Sequence, residues 1–233
     1  MPNHCSNQFT FTGNINSIQK LYHHIVNPDL EPQSIDFNRI IPMPDALDIP
    51  SDSSGMKALA LLQMKLHQVL INSNWFTHAY QLVSALDKYG YQWHSLTAEQ
   101  AIQVLQQEPN LQQHYGLDLE LGQQYLNNLN QYGFVSWYEW RKHNWGTKWN
   151  AYNGDVELSE DGKCLSGYFD TAWSPAEPIY CYLAQHYPNV EINIEYLDEF
   201  ADFAGSYRSD GSGQLIDYPL SDAEIEAMFV QHD

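Results

Sequence analysis

The strongest constraint on the fold is the order in which the hydrophobic period changes along the chain. Residues 8–12 alternate aromatic and polar side chains, which predicts a half-buried strand, and apolar residues in 15–26 recur at helical spacing. After Gly146 the period returns to two, and a helix introduced by Ser174 is predicted over 175–187. The predicted strands of this part are 148–152, 155–159, 163–171, 190–197 and 203–208.

A block of helices separates these two alternating parts. Helical spacing predicts helices over 56–71, 75–89, 98–107, 119–132 and 137–145. Capping boxes, Thr97 with Gln100 and Ser136 with Glu139, support two of the helix starts. We therefore divide the chain into an N-terminal part (1–55), a helical insertion (56–146) and a C-terminal part (147–233).

Without the insertion, the predicted order is strand, helix, strand, followed by strands, helix and strand. The second of these strands is an extended stretch over 34–41, and Asn153-Gly154 and Asp161-Gly162 predict hairpin turns. This order is typical of the split β-α-β plan. The sequence thus predicts an α+β fold, a ferredoxin-like antiparallel sheet with helices on one face, interrupted by the helical insertion.

The charge of the chain limits its partners. The 233 residues carry 29 acidic and 10 basic side chains, and −15 of the formal charge of −19 falls in residues 155–233. Such a field repels nucleic acid and anionic membranes, so we expect neither as a direct partner. Three widely spaced cysteines and the lack of a signal-like or long apolar segment indicate a cytoplasmic protein.

No arrangement of residues typical of a catalytic or metal site is found in the sequence. The histidines form no HxH or HExxH motif, there is no CxxC, and no Gly-x-Ser-x-Gly turn surrounds Ser174. Glu191 and Glu195 occupy the outward positions of a predicted strand, which favours a solvent-exposed surface over a catalytic pair. We expect no catalytic residue, metal or cofactor.

The segment 137–152 combines aromatic and cationic residues and allows two interpretations. In the first, Arg141, Trp145, Lys148 and Trp149 form a platform for a small ligand or nucleotide. In the second, which the aromatic spacing favours, the rings pack in the core. Packing is also the favoured interpretation for Trp173, with Ser174 as the helix cap.

Several short motifs resemble the YubB-type ferredoxin-like domain family. They are the N-terminal 2–7, the segment 41–44, and the motif residues Asn144, Trp145, Gly146, Thr147, Lys148, Trp149, Trp173, Ser174, Pro175, Phe203 and Gly205. The resemblance spans nearly the whole chain, except that it is weak over 56–130. It implies a ferredoxin-like fold and an origin in phages or conjugative plasmids, whose members of this family have no assigned biochemical role.

These observations lead to one leading hypothesis and two alternatives. The leading hypothesis is a non-enzymatic counter-defence protein that inhibits a CRISPR-type or restriction effector in the host cytoplasm, by mimicking nucleic acid on the effector's basic surface. Its acidic surface consists of Glu191, Glu195, Asp198, Glu199, Asp202 and Asp210. The alternatives are a small-ligand or nucleotide-binding protein or enzyme using the 145–149 region, and an assembly module that binds a protein through the helical insertion.

Overall fold

The computed structural model of the protein describes residues 3–70, 90, 92 and 95–230, and their side chains except those of 227–230. The helix predicted over 75–89 lies outside the described residues. Contacts divide the chain into two compact units, one formed by Met1–Met43 with Trp140–Asp233 and the other by Pro44–Glu139. Within the described residues, no helix combines the length and the apolar character needed to cross a bilayer.

The strands belong to the first unit. They are β1 His4–Gly13, β2 Val26–Asn27, β3 Ser34–Ile35, β4 Tyr152–Leu158, β5 Cys164–Ala172, β6 Val190–Asp198, β7 Ala204–Ser209 and β8 Ile216–Pro219. The helices of the described chain are α1 Ile15–Ile25, α2 Phe37–Ile40, α3 Ser53–Leu62, α4 Ala98–Gln107, α5 Pro109–Tyr115, α6 Leu119–Tyr132, α7 Trp137–Asn144, α8 Glu177–His186 and α9 Asp222–Val230.

The large sheet has the strand order β4-β5-β1-β6-β7-β8, and every neighbouring pair is antiparallel. Strands β1 and β4 are therefore parallel with β5 between them, and β5 and β6 are parallel with β1 between them. Each pair is joined across a strand through segments that contain helices, which is the split β-α-β plan. The predicted ferredoxin-like α+β fold is confirmed, with β7 and β8 added at one edge.

Helices α1 and α8 lie on one face of this sheet because its strands alternate buried and exposed residues. Phe9 and Phe169 are 1% exposed, and the ring of Phe169 contacts Tyr180 of α8. The buried Asn7 accepts a hydrogen bond from the Tyr180 hydroxyl (2.7 Å), and its amide donates to the Thr171 hydroxyl (3.0 Å). These bonds satisfy a polar group in the core and fix α8 on the sheet.

The second unit is a group of packed helices. The structure places its boundaries at 43/44 and 139/140, whereas the helical insertion was predicted over 56–146. The earlier start has a physical cause, since α6 binds the segment before α3. The Asn128 amide donates to the carbonyl of Ala46 (2.8 Å), and the Tyr125 hydroxyl donates to the carbonyl of Pro50.

Three local predictions are wrong. The stretch over 34–41 is not continuously extended, because the Asp36 carboxylate accepts from the Asn38 N–H (2.9 Å) and starts α2. The strand predicted over 148–152 does not form, since strand β4 begins only at Tyr152. The hairpin turn predicted at Asn153-Gly154 does not form either, because these residues lie at an irregularity inside β4. The turn at Asp161-Gly162 is confirmed, with the Gly162 N–H donating to the Ser159 carbonyl (2.9 Å).

Candidate functional site

The face of the sheet opposite α1 and α8 carries mostly exposed side chains. We call it the open sheet face. Strand pairing places on it Ser6, Gln8, Thr10, Thr12, Asp155, Glu157, Tyr168, Glu191, Asn193, Glu195, Arg208, Ile216 and Tyr218. Glu191 and Glu195 are exposed there, as their alternating positions predict.

The other predicted acidic residues do not all lie on this face. Asp198 is only 2% exposed, and its carboxylate accepts from the N–H groups of Phe200 (2.9 Å) and Asp202 (3.4 Å). Its assignment to an exposed surface is wrong, because the carboxylate closes the loop after β6. Glu199 and Asp202 are exposed in that loop. Asp210 is also exposed, and hydrogen bonds from Ser212 lower the pKa of its carboxyl.

The open sheet face contains features that the sequence reasoning missed. Asp155 and Glu157 of β4 add two exposed carboxylates, which strand alternation within β4 could have indicated. An open cleft of about 670 Å³ lies at the β6–β8 end and includes Arg208 and Tyr218. The Arg208 guanidinium carbon is 5.3 Å from the centre of the Tyr218 ring, and its Nε donates to the Ser206 hydroxyl (3.1 Å).

The proposed ligand platform of Arg141, Trp145, Lys148 and Trp149 is not brought together as one site. Trp145 is 1% exposed, and its indole N–H donates to the carbonyl of Ile41 (2.9 Å). The Arg141 guanidinium carbon lies 4.9 Å from the centre of the Trp145 ring. For Trp145 the packing interpretation is correct, and Arg141 lies against this buried ring.

Lys148 and Trp149 instead meet Trp173. The Lys148 ammonium nitrogen lies 4.2 Å from the ring centre of Trp149 and 4.1 Å from that of Trp173. The two indoles are 36% and 41% exposed, so the interpretation of Trp173 as a core residue is wrong. We call Lys148, Trp149 and Trp173 the tryptophan–lysine cluster.

Hydrogen bonds next to the cluster join the backbone segment that carries Lys148 and Trp149 to the segment that carries Trp173. The buried Thr147 hydroxyl donates to the Ala172 carbonyl (2.9 Å) and accepts from the Ala172 N–H (3.1 Å). The Trp173 N–H donates to the carbonyl of Asn3 (3.0 Å). With these contacts Trp173 adopts a φ of 74°, a left-handed conformation that is rare for bulky side chains.

The remaining motif residues have structural roles around the cluster. Ser174 does not cap α8, which begins at Glu177, because its hydroxyl donates to the Gly146 carbonyl (2.8 Å). Consequently Pro175 precedes that helix instead of opening it. The Asn144 amide donates to the Trp140 carbonyl (2.9 Å). At the other end of the matched motifs, the rings of Phe203 and Tyr196 pack with centres 6.2 Å apart, and Gly205 also lies against Tyr196.

Tyr152 connects the cluster to the sheet. Its ring centre is 5.9 Å from that of Trp149, and its hydroxyl donates to the Thr171 carbonyl (3.2 Å) and lies 2.8 Å from Nδ1 of His4. Burial, with a smaller effect from the Asp170 charge, raises the pKa of Tyr152 to about 12. Among the described residues, no three His, Cys, Asp or Glu side chains are grouped so that they could hold a metal ion.

A family model supports the ferredoxin-like fold of the C-terminal part of the chain. Residues 144–233 match the family model described as "Ferredoxin-like domain in Api92-like protein". The chain is also similar to the crystal structure of protein api92 from Yersinia pseudotuberculosis, with 11% identity, a TM-score of 0.43, and coverage of 95% of this chain and 99% of that chain. No curated protein matches the chain.

Proposed function

We propose that the protein is a non-enzymatic binding protein whose open sheet face docks on a basic, nucleic-acid-binding surface of another protein. The observation that carries this proposal is the charge of the face. Asp155, Glu157, Glu191 and Glu195 are exposed on it, whereas Arg208 is the one Lys or Arg in the six strands of the sheet, all of which are described.

The spacing of these carboxylates specifies the kind of contact. At a rise of roughly 3.3 Å per residue, Glu191 and Glu195 lie about 13 Å apart along β6. Asp155 is three strand spacings from Glu195, or about 14 Å. Phosphates in a duplex are much closer together than this. Asp155 and Glu157, two residues apart on β4, are closer, at about 7 Å, so the carboxylates are unevenly spaced. The uneven spacing supports long-range attraction to a broad basic surface rather than a regular copy of the phosphate backbone.

The specific partner that we propose is a nucleic-acid-dependent defence complex, either a CRISPR-type effector or a restriction enzyme. Such effectors hold nucleic acid in positively charged channels, which an acidic face can occupy. The resemblance to YubB-type proteins of phages and conjugative plasmids supports a counter-defence role in the bacterial cytoplasm. Binding at the channel would inhibit the effector without any catalytic step.

The test is competition with DNA. A purified DNA-targeting CRISPR complex and a purified restriction endonuclease are each incubated with a fluorescent cognate duplex, and the full chain is titrated in. We expect displacement of the duplex from one of them, with the apparent affinity falling as salt is raised, because the contact is electrostatic. The double variant Glu191→Lys/Glu195→Lys should displace the duplex at least about tenfold less well.

The control variant is Glu99→Lys/Glu120→Lys, which makes the same change of charge at exposed positions of the second unit. It should retain displacement. Equal losses in the two double variants would show that only the net charge matters, and the docking proposal would then fail. Failure of the unmodified chain to displace DNA from either effector would remove the counter-defence proposal.

A further inference from the structure

We propose that the tryptophan–lysine cluster is a binding site for a small anion that carries a flat ring, of the nucleoside monophosphate class. The proposal is independent of docking by the open sheet face. It rests on the position of Lys148, on the backbone conformation that exposes Trp173, and on the charge of the surroundings.

Lys148 is a positioned cation whose hydrogen-bond donors are not used by any residue that the structure describes. Its ammonium nitrogen lies within 4.2 Å of the centres of both indole rings, and it has no hydrogen-bond or ion-pair acceptor among the described residues. Lys20 provides a contrast, since its nitrogen is 6.0 Å from the ring centre of Tyr187. Cation–π contacts fix the direction of the Lys148 side chain while leaving its N–H groups available to an anion.

The backbone is arranged to expose Trp173 rather than to bury it. A φ of 74° is unfavourable for a tryptophan, and the structure retains it through the Trp173 N–H bond to Asn3 and the two Thr147 bonds to Ala172. Core packing of the indole does not compensate for this strain, because Trp173 is 41% exposed. Strain that is retained by several contacts around an exposed side chain is typical of binding sites.

Together these groups define the ligand chemistry. A lysine ammonium binds phosphate as a point charge, and partly exposed indole rings stack on nucleobases of any sequence. The surroundings limit the ligand to a small anion. Asp170 pairs with Tyr152 across β4 and β5, next to Trp149, and the chain carries a net charge of −19, which repels a polyanionic strand.

The experiment is calorimetric titration of the full chain with 5′-AMP, adenosine, inorganic phosphate and a ten-residue deoxyadenosine oligonucleotide. We expect saturable binding of 5′-AMP with a Kd below about 1 mM. Adenosine and phosphate should each bind at least about tenfold more weakly, because each lacks one of the two contacts. Absence of AMP binding, or equal binding of phosphate, would overturn the proposal. Tighter binding of the oligonucleotide would overturn its restriction to a mononucleotide.

Two substitutions locate the site. Lys148→Met retains the unbranched side chain between the rings but removes the charge, so AMP binding should weaken at least about tenfold while adenosine binding stays unchanged. Lys20→Met is the matched control and should bind AMP like the unmodified chain. Unchanged AMP binding by Lys148→Met would place the ligand elsewhere. Trp149→Leu provides a second variant, with circular dichroism to verify folding, and it should weaken both AMP and adenosine.

Discussion

The open sheet face and the tryptophan–lysine cluster both expose side chains of the same unit, but the structure fixes their positions in different ways. On the open sheet face, strand register places Glu191 and Glu195, and the Glu191 carboxylate accepts a hydrogen bond from the Thr12 hydroxyl at the exposed surface (3.3 Å). In the cluster, Thr147 and the backbone of Asn3 hold the segments that carry Lys148 and Trp173. The face should therefore tolerate substitution, whereas residues under the cluster should not.

The largest expected effect concerns two tryptophans that are four residues apart. Trp145 is buried, in edge-to-face contact with Trp140 and Phe37, so Trp145→Ala should lower the free energy of unfolding by about 3–5 kcal/mol. Trp149 is 36% exposed, and Trp149→Ala should cost about 1 kcal/mol. Urea denaturation measures both values. Similar losses of unfolding free energy in the two variants would contradict the division into a buried Trp145 and a partly exposed Trp149.

The second prediction compares two carboxylates of β6. Asp198→Ala leaves the N–H groups of Phe200 and Asp202 without their acceptor and should cost about 1–3 kcal/mol of stability. Glu195→Ala on the open sheet face should change stability by less than about 0.5 kcal/mol. The same urea experiment distinguishes them. A loss at Glu195 as large as that at Asp198 would mean that the face is structurally constrained after all.

The outcome for β6 shows how far alternation predicts a surface. Glu191 and Glu195 are exposed as predicted, because a strand with one buried face repeats every two residues. Asp198 continues the inward series of Val190, Ile192, Ile194 and Tyr196, so the same rule contained the signal that it is buried. The prediction instead grouped Asp198 with its acidic neighbours in sequence, Glu199 and Asp202.

The cluster could not be predicted in the same way because it depends on contacts between distant residues. The topology of the sheet follows from the order of the periodic segments, and the buried Trp145 follows from aromatic spacing. In contrast, the left-handed Trp173 is held by Asn3 and by Thr147, far from it in sequence. Likewise, the prediction of a strand over 148–152 fails because the Asn150 side chain binds the Phe37 N–H (2.7 Å).

A third prediction tests the strain at Trp173. Trp173→Ala and Trp173→Gly both remove the indole, but glycine adopts a φ of 74° without steric cost. The glycine variant should therefore be more stable than the alanine variant by about 1 kcal/mol, measured by thermal unfolding. Trp149, which has no positive φ, provides the control, and there the order should be reversed. Equal stability of the two Trp173 variants would exclude strain as a property of the cluster.

The smallest expected effect is a pH dependence at Tyr152, whose ring contacts Trp149 of the tryptophan–lysine cluster. The pKa of Tyr152 is raised from 10.0 to about 12, first by burial and then by Asp170. Because folding favours the protonated phenol, its contribution to stability is complete below pH 10.0 and is lost as the pH rises toward about 12. Urea midpoints measured from about pH 8 to 11 should thus fall less steeply for Tyr152→Phe than for the unmodified chain. An unchanged slope in Tyr152→Phe would contradict a half-buried, protonated phenol beside the tryptophan–lysine cluster.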